Sequence, residues 1–315
     1  MILASTANDL FWMARYVERA ESIARTLAAA GRISAIPQVT GEETNEWSSA
    51  LAAAAQLNAF VETGKEPNEI EVFNYLAFDE SNPSSIKSCL TQARHNARSV
   101  RPALTTETWE AINTAYLDFK KYEKAGHSLR AHQEFLRWVL DVSLRVSGTA
   151  FRNMLRDERC WFSRLGFYIE RADNTARIMD VKYHVLLPEH SEVGGSLDYY
   201  QWSSILRSVS ALTAYHWVYR QSLKPWLIAD LLILREEMPR SLASCYQNIA
   251  MFLDEIARAY GKQGPAQRAA RTTHSRLRNT RTEDVFHKGL HEFLTEFLAD
   301  NNKLGAVIAE QYNLA

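Results

Sequence analysis

FWMARYVERAESIAR, residues 11–25, reads as a long helix. From Leu10, apolar or small residues recur at Met13, Ala14, Val17, Ala20, Ala24 and Leu27, the three-and-four spacing that a helix gathers into one stripe. Gly31 stands where a C-terminal cap would close it. Glu21 precedes Arg25 by four positions, the favourable order for a helical ion pair, and Glu18 lies beside them. Arg19 falls on the other side, next to Trp12 and Tyr16. Uncharged and aromatic residues cover more than half of the wheel, so the helix is expected to be mostly buried, charges included.

The same helix is written a second time. RLGFYIERADNTAR, residues 164–177, places Glu170, Arg171, Asp173 and Arg177 as the first stretch places Glu18, Arg19, Glu21 and Arg25. The match extends downstream in order. Trp47-Ser-Ser-Ala-Leu51 is followed by Trp202-Ser-Ser-Ile-Leu206, and Phe60 by Tyr215. Residues 74–90 align with 230–246, keeping Leu76/Leu232, Glu80/Glu236, Pro83/Pro239, Ser85/Ser241, Ser88/Ser244 and Cys89/Cys245. His132-Gln-Glu-Phe-Leu136 resembles His291-Glu-Phe-Leu294. Two copies of about 155 residues are too long for solenoid repeats. The sequence therefore predicts an all-α, internally duplicated helical bundle with two pseudo-two-fold-related halves, 1–156 and 157–315, which could form one compact unit. The segment 187–198 then corresponds to the loop at 32–46 and is not the boundary.

Helical patterns also run through about 46–62, 68–78, 84–101, 105–125, 130–156, 158–186, 198–220, 226–235, 239–260 and 283–313, with no strand-like alternation between turns. Glycine (12) and proline (8) are scarce enough to leave those runs unbroken. Over 315 residues, 46 % apolar and 23 % charged residues describe a globular chain. A net charge of −1 gives no global basis for binding nucleic acid or a membrane surface. No stretch reaches the roughly 18 apolar residues of a membrane span. The start lacks a basic region leading into an apolar run, and three scattered cysteines suit a reducing compartment, so a cytoplasmic protein is expected.

The duplicated charges admit two readings. Desolvating an unpaired ion costs several kcal/mol, so Arg15, Glu18, Arg19, Glu21, Arg25, Glu170, Arg171, Asp173 and Arg177 fit an internal ion-pair network where the two helices meet. Otherwise some of them face a cleft and bind or process a polar ligand. His287 and His291, with Glu283 one turn earlier, have the spacing of metal ligands on one helical face. The first copy keeps only His132 of that set and neither charged helix carries a Glu-x-x-His motif, so no metal and no cofactor are assigned. Ser85, Ser88 and Cys89, with Ser241, Ser244 and Cys245, follow Pro83 and Pro239 and could cap helices; no base stands beside them for nucleophilic catalysis. Between Arg258 and Arg281 there are seven basic residues and no acid; of these Arg268, Arg271, Arg276, Arg278 and Arg281 are candidate anion ligands, and Arg94, Arg98 and Arg101 form a second basic row. No nucleic-acid module accompanies either run.

The two charged helices carry a resemblance. Trp12-Met-Ala-Arg15-Tyr16 with Glu18-Arg-Ala-Glu21, and Gly166 with Glu170-Arg-Ala-Asp173, resemble the ER signatures of the bacterial alpha-E family. Ala14 stands where that family usually has glycine. Residues 93–101, Trp109–Asn113, Pro239-Arg-Ser241 and Gly289-Leu-His-Glu292 also look like family segments. The resemblance implies an all-helical protein associated with circularly permuted ATP-grasp amidoligases and transglutaminase-like peptidases. The expected role is an accessory or scaffold partner of that ligase and peptidase in a peptide or amide synthesis or modification system. The alternative is an enzyme or ligand-binding module that uses the duplicated Glu-Arg helices on a peptide or amide product. The absence of a complete catalytic constellation points away from an enzyme. A peptide ligand and a homodimer stay open.

Overall fold

The computed structural model describes residues 1–35, 46–123, 129–185 and 196–314. Among these there is no strand, and fifteen α-helices follow one another. The chain runs through α1 (Ala4–Ser34), α2 (Glu46–Ala53), α3 (Leu57–Val61), α4 (Glu69–Ala77), α5 (Ile86–Ser99), α6 (Thr106–Tyr122) and α7 (Leu129–Asn153). It continues through α8 (Glu158–Val185), α9 (Ser196–Ser208), α10 (Leu212–Tyr219), α11 (Pro225–Ala229), α12 (Leu242–Tyr260), α13 (Pro265–Asn279), α14 (Thr282–Lys288) and α15 (Leu290–Tyr312). Among the described residues no helix is long and apolar enough to cross a membrane.

The longest helices, α1 and α8, carry the two ER stretches and pack on each other more extensively than any other pair. Around α1 stand α2, α5, α7 and α9; around α8 stand α2, α12 and α15. Two hydrophobic clusters result. One draws on residues between Leu10 and Val146; the other runs from Phe162 to Leu314 and takes in Ala7 and Phe11 of α1. The first helix therefore feeds both, Ala7 and Phe11 on one flank and Leu10, Met13 and Val17 on the other. Each large side chain buried there contributes about 1.5–3 kcal/mol. Gly166 sets how near the two helices come. A Cβ at that position would lie 2.1 Å from the carbonyl oxygen of Phe11.

Matched positions share environments. Trp47 and Trp202, Leu51 and Leu206, Phe60 and Tyr215, Leu76 and Leu232, and Cys89 and Cys245 are all buried. Ser85 and Ser241 both cap helices, accepting hydrogen bonds from the backbone of Ser88 (3.1 Å) and Ser244 (2.9 Å). Ser85→Ala or Ser241→Ala should each cost about 1 kcal/mol. The check is a lower denaturation midpoint with an unchanged denaturant slope.

Several predicted helices are broken. The run at 46–62 is split at Ala55 (φ 55°) and the run at 198–220 at Ser210 (φ 57°). Both breaks close in the same way. The amides of Ala55 and Gln56 reach the carbonyls of Ala52 and Leu51, and those of Ser210 and Ala211 reach Arg207 and Leu206. This is the helix-ending pattern that usually places glycine in the left-handed conformation, here held by alanine and serine. Without a glycine, the sequence carried no sign of the stop. The run at 283–313 divides at Gly289 (φ 95°). Residues 265–279, which drew attention only for their charge, are helical: Pro265 opens the first turn, and Ala266, Ala270, Thr273 and Leu277 form a buried stripe. The connections compared within 32–46 and 187–198 fall, at 36–45 and 186–195, outside the described residues.

Candidate functional site

The chemistry-bearing residues meet along the α1–α8 contact, and they do so crosswise. Arg19 of the first ER pair embraces Glu170 of the second, Nε to Oε1 at 2.5 Å and a terminal nitrogen to Oε2 at 3.1 Å. Arg171 of the second embraces Glu18 of the first, at 2.8 and 3.1 Å. These are two-point guanidinium–carboxylate contacts, the strong geometry for a buried ion pair. Glu18 is 0 % exposed and Glu170 3 %. The ER spacing explains the exchange: adjacent residues on a helix point about 100° apart, so each helix offers its acid to the neighbour's base and its base to the neighbour's acid.

Each carboxylate then receives a further cation. Arg15 donates to Glu170 at 2.8 Å while its guanidinium lies 4.6 Å from the Trp12 ring centre. Arg240, ahead of α12, donates to Glu18 at 3.0 Å and also to Glu21. Glu21 additionally accepts from Arg25 at 2.8 Å and from the Ser143 hydroxyl. Arg25 reaches on to the Ser208 carbonyl (3.0 Å) and the Ser210 hydroxyl (2.8 Å). In the second motif Arg177 bonds Asp173 at 2.6 Å. All nine candidate residues of the two motifs thus make ion pairs, in three groups: Glu18 and Glu21 with Arg25 and Arg171, Glu170 with Arg15 and Arg19, and Asp173 with Arg177.

The electrostatics follow from this wiring. Burial alone would raise the Glu21 pKa, but Arg240, Arg25 and Ser143 together pull it down to about 2. Burial opposes ionisation of Glu170 too, and Arg19 and Arg15 outweigh it, holding that carboxyl below its ordinary range. Burial likewise opposes the charge of Arg19 and Arg171, whose partners Glu170 and Glu18 hold them protonated. Asp173 is the exception: burial raises its pKa and Arg177 does not fully compensate. The signs fix the acid response. Lowered pKa values at Glu21 and Glu170 mean stabilisation that is complete above the ordinary glutamate range near 4.5 and lost as pH falls toward 2. Asp173 acts oppositely, since its penalty at neutral pH is relieved by protonation. Denaturation midpoints across pH 7 to 2 should fall most steeply below about 4.5; a flat profile would contradict the network.

Other candidates are drawn into packing or pairing. Burial pushes the thiols of Cys89 and Cys245 up to about 12, which leaves them protonated at neutral pH. Gly289 separates His287 on α14 from His291 on α15, so they do not share a helical face; His291 pairs with Asp180 at 2.7 Å. His132 stacks on Phe73 with ring centres 3.6 Å apart. Within the basic run, Arg271 pairs with Asp254, Arg276 with Glu296 and Asp300, and Arg278 with Glu236, while Arg268 and Arg281 are exposed. The acids missing from 258–281 come from neighbouring segments. Arg94 bonds Asn113 at 2.9 Å and lies over Tyr116.

Sequence reasoning missed Arg240, Ser143, Ser84 and Asn174. Arg240 had a signal: Pro239-Arg240-Ser241 aligns with Pro83-Ser84-Ser85, so one cap is preceded by a guanidinium and the other by a hydroxyl. Ser84 and Asn174 line a polar cavity of about 170 Å³ beside Glu170 and Asp173, bounded also by Arg15, Arg19 and Arg177.

A family model described as a predicted alpha-helical domain with a conserved ER motif matches residues 2–312. No curated protein and no solved structure is similar to the chain.

Proposed function

Because the chain belongs to the Alpha-E family, we propose that it is a non-catalytic helical partner that docks onto an ATP-grasp amidoligase and helps present its substrate. A transglutaminase-like peptidase would belong to the same cytoplasmic system of peptide or amide modification. One observation carries the non-catalytic half of this reading: the ER glutamates, the obvious acid–base candidates, are consumed in holding α1 to α8. A general base needs a lone pair within reach of substrate, and Glu18 and Glu170 direct theirs at partly buried arginines. The ligase rests on the ER resemblance. In this reading the chain is also a tandem duplication about a pseudo-two-fold axis between α1 and α8. The crosswise Glu–Arg bonds and the like helix stops at Ala55 and Ser210 support that view.

The experiment is capture of the chain from its native cells with mass spectrometry of what it retains, then assay of the purified ligase with and without it. Retention of the ligase and altered turnover are expected. No binding and no effect on turnover would reject the proposal.

A further inference from the structure

The two carboxylate stations match in charge but differ in space. At Glu18 and Glu21 the cations are Arg171, Arg240 and Arg25. At Glu170 and Asp173 they are Arg19, Arg15 and Arg177. Each station therefore sets three guanidinium groups against two carboxyls. The third cation comes from different places, however. Arg240, immediately before the cap Ser241, fills the space beside Glu18 and Glu21. Ser84, immediately before the cap Ser85, offers only a hydroxyl, 3.5 Å from Arg19. Arg15 takes over on Glu170 from α1, and a cavity of about 170 Å³ lies where a longer side chain at 84 would project.

Three features of that cavity select its occupant. Arg15 lines it, and among the described residues its terminal guanidinium nitrogens make no hydrogen bond, since Nε alone engages Glu170. The fixed charge is net positive, and burial of Asp173, which has Arg177 but no counterpart of Arg240 or Ser143, favours its neutral form. A cationic ligand would add to this excess; an anion cancels it. The wall also includes Ile23, Ala53 and Ala54, an apolar strip suited to carbon and not to bare phosphate. A cavity of similar volume holds benzene, so the space suits about six non-hydrogen atoms.

We propose that this cavity is a binding site for a small organic carboxylate, its oxygens accepting from Arg15. The inference stands apart from the ligase reading, since it rests on the cavity alone.

The test is calorimetric titration and thermal shift of the full chain with acetate, L-lactate, L-alanine and L-glutamate, beside inorganic phosphate and methylguanidinium. At least one carboxylate should bind and raise the unfolding midpoint, with phosphate and methylguanidinium weaker. Ser84→Arg, which copies the arrangement at Arg240, should fold and abolish binding. Asn174→Asp, which leaves the space but puts a negative charge on its wall, should weaken binding by about tenfold or more. If Ser84→Arg does not fold, Asn174→Asp decides alone. The proposal is overturned if no carboxylate binds, if phosphate or methylguanidinium binds in preference, or if carboxylate binding is unchanged in Ser84→Arg or Asn174→Asp.

Discussion

Glu170→Ala is expected to destabilise the protein by about 3–5 kcal/mol, the range for removing one partner from a buried ion pair. The carboxylate is 3 % exposed and is the shared counter-charge of Arg15 and Arg19, so its loss leaves two partly buried guanidinium groups without their counter-charge. Glu18→Ala should cost a similar amount, because it strands Arg171, while Arg240 keeps Glu21. Glu134→Ala is the control: its pair with Arg130 is solvent-exposed, and exposed pairs contribute little. Denaturant midpoints of the three variants check the ranking. Glu170→Ala behaving like Glu134→Ala would mean that the ER motif does not hold the core. Glu18→Gln and Glu170→Gln refine the point. Loss of ligase stimulation by stably folded variants would favour a working site, whereas loss of folding favours the clamp.

The second large effect turns on a sign. Alanine is a better helix former than glycine by about 1 kcal/mol, so Gly→Ala inside a helix ordinarily stabilises. Gly148, within α7 and with nothing within 4 Å of an added Cβ, should follow that rule. Gly166 should break it. Its Cβ would stand 2.1 Å from the Phe11 carbonyl oxygen and 2.9 Å from the carbonyl carbon, so the backbone of α1 must retreat. Overpacking of this kind costs about 1–3 kcal/mol, and Gly166→Leu should cost more, since moving α1 also stretches the crosswise ion pairs. Circular dichroism with denaturant titration reads both. A stabilised Gly166→Ala would show that α1 and α8 are not held in close contact.

Legibility in the sequence followed the physics. The α1 stripe and the i,i+4 acid–base pairs announced buried charge, and buried charge demands partners; the network followed from that demand. Its crosswise wiring was not implicit, because like-spaced charges on two helices can bond within each helix as well as across to the other. The stops at Ala55 and Ser210 were hidden, since neither residue is one that ordinarily marks a left-handed backbone. The basic run drew the eye as charge and so concealed α13, whose buried stripe is built of small residues. The cavity was least legible. It depends on Ser84 being short where Arg240 is long, a difference that acquires meaning only when both stand beside a carboxylate.

The central claim is that each ER motif is the other's counter-charge. The most direct measurement is a double-mutant cycle across the helices, with Arg19→Ala, Glu170→Ala and both together, followed by equilibrium denaturation. The account predicts strong coupling. Each single change should cost several kcal/mol, and the double variant should lose about 1–3 kcal/mol less than their sum, because removing the second ion relieves the first. Additive losses would contradict it, showing that Arg19 and Glu170 contribute to stability independently of each other.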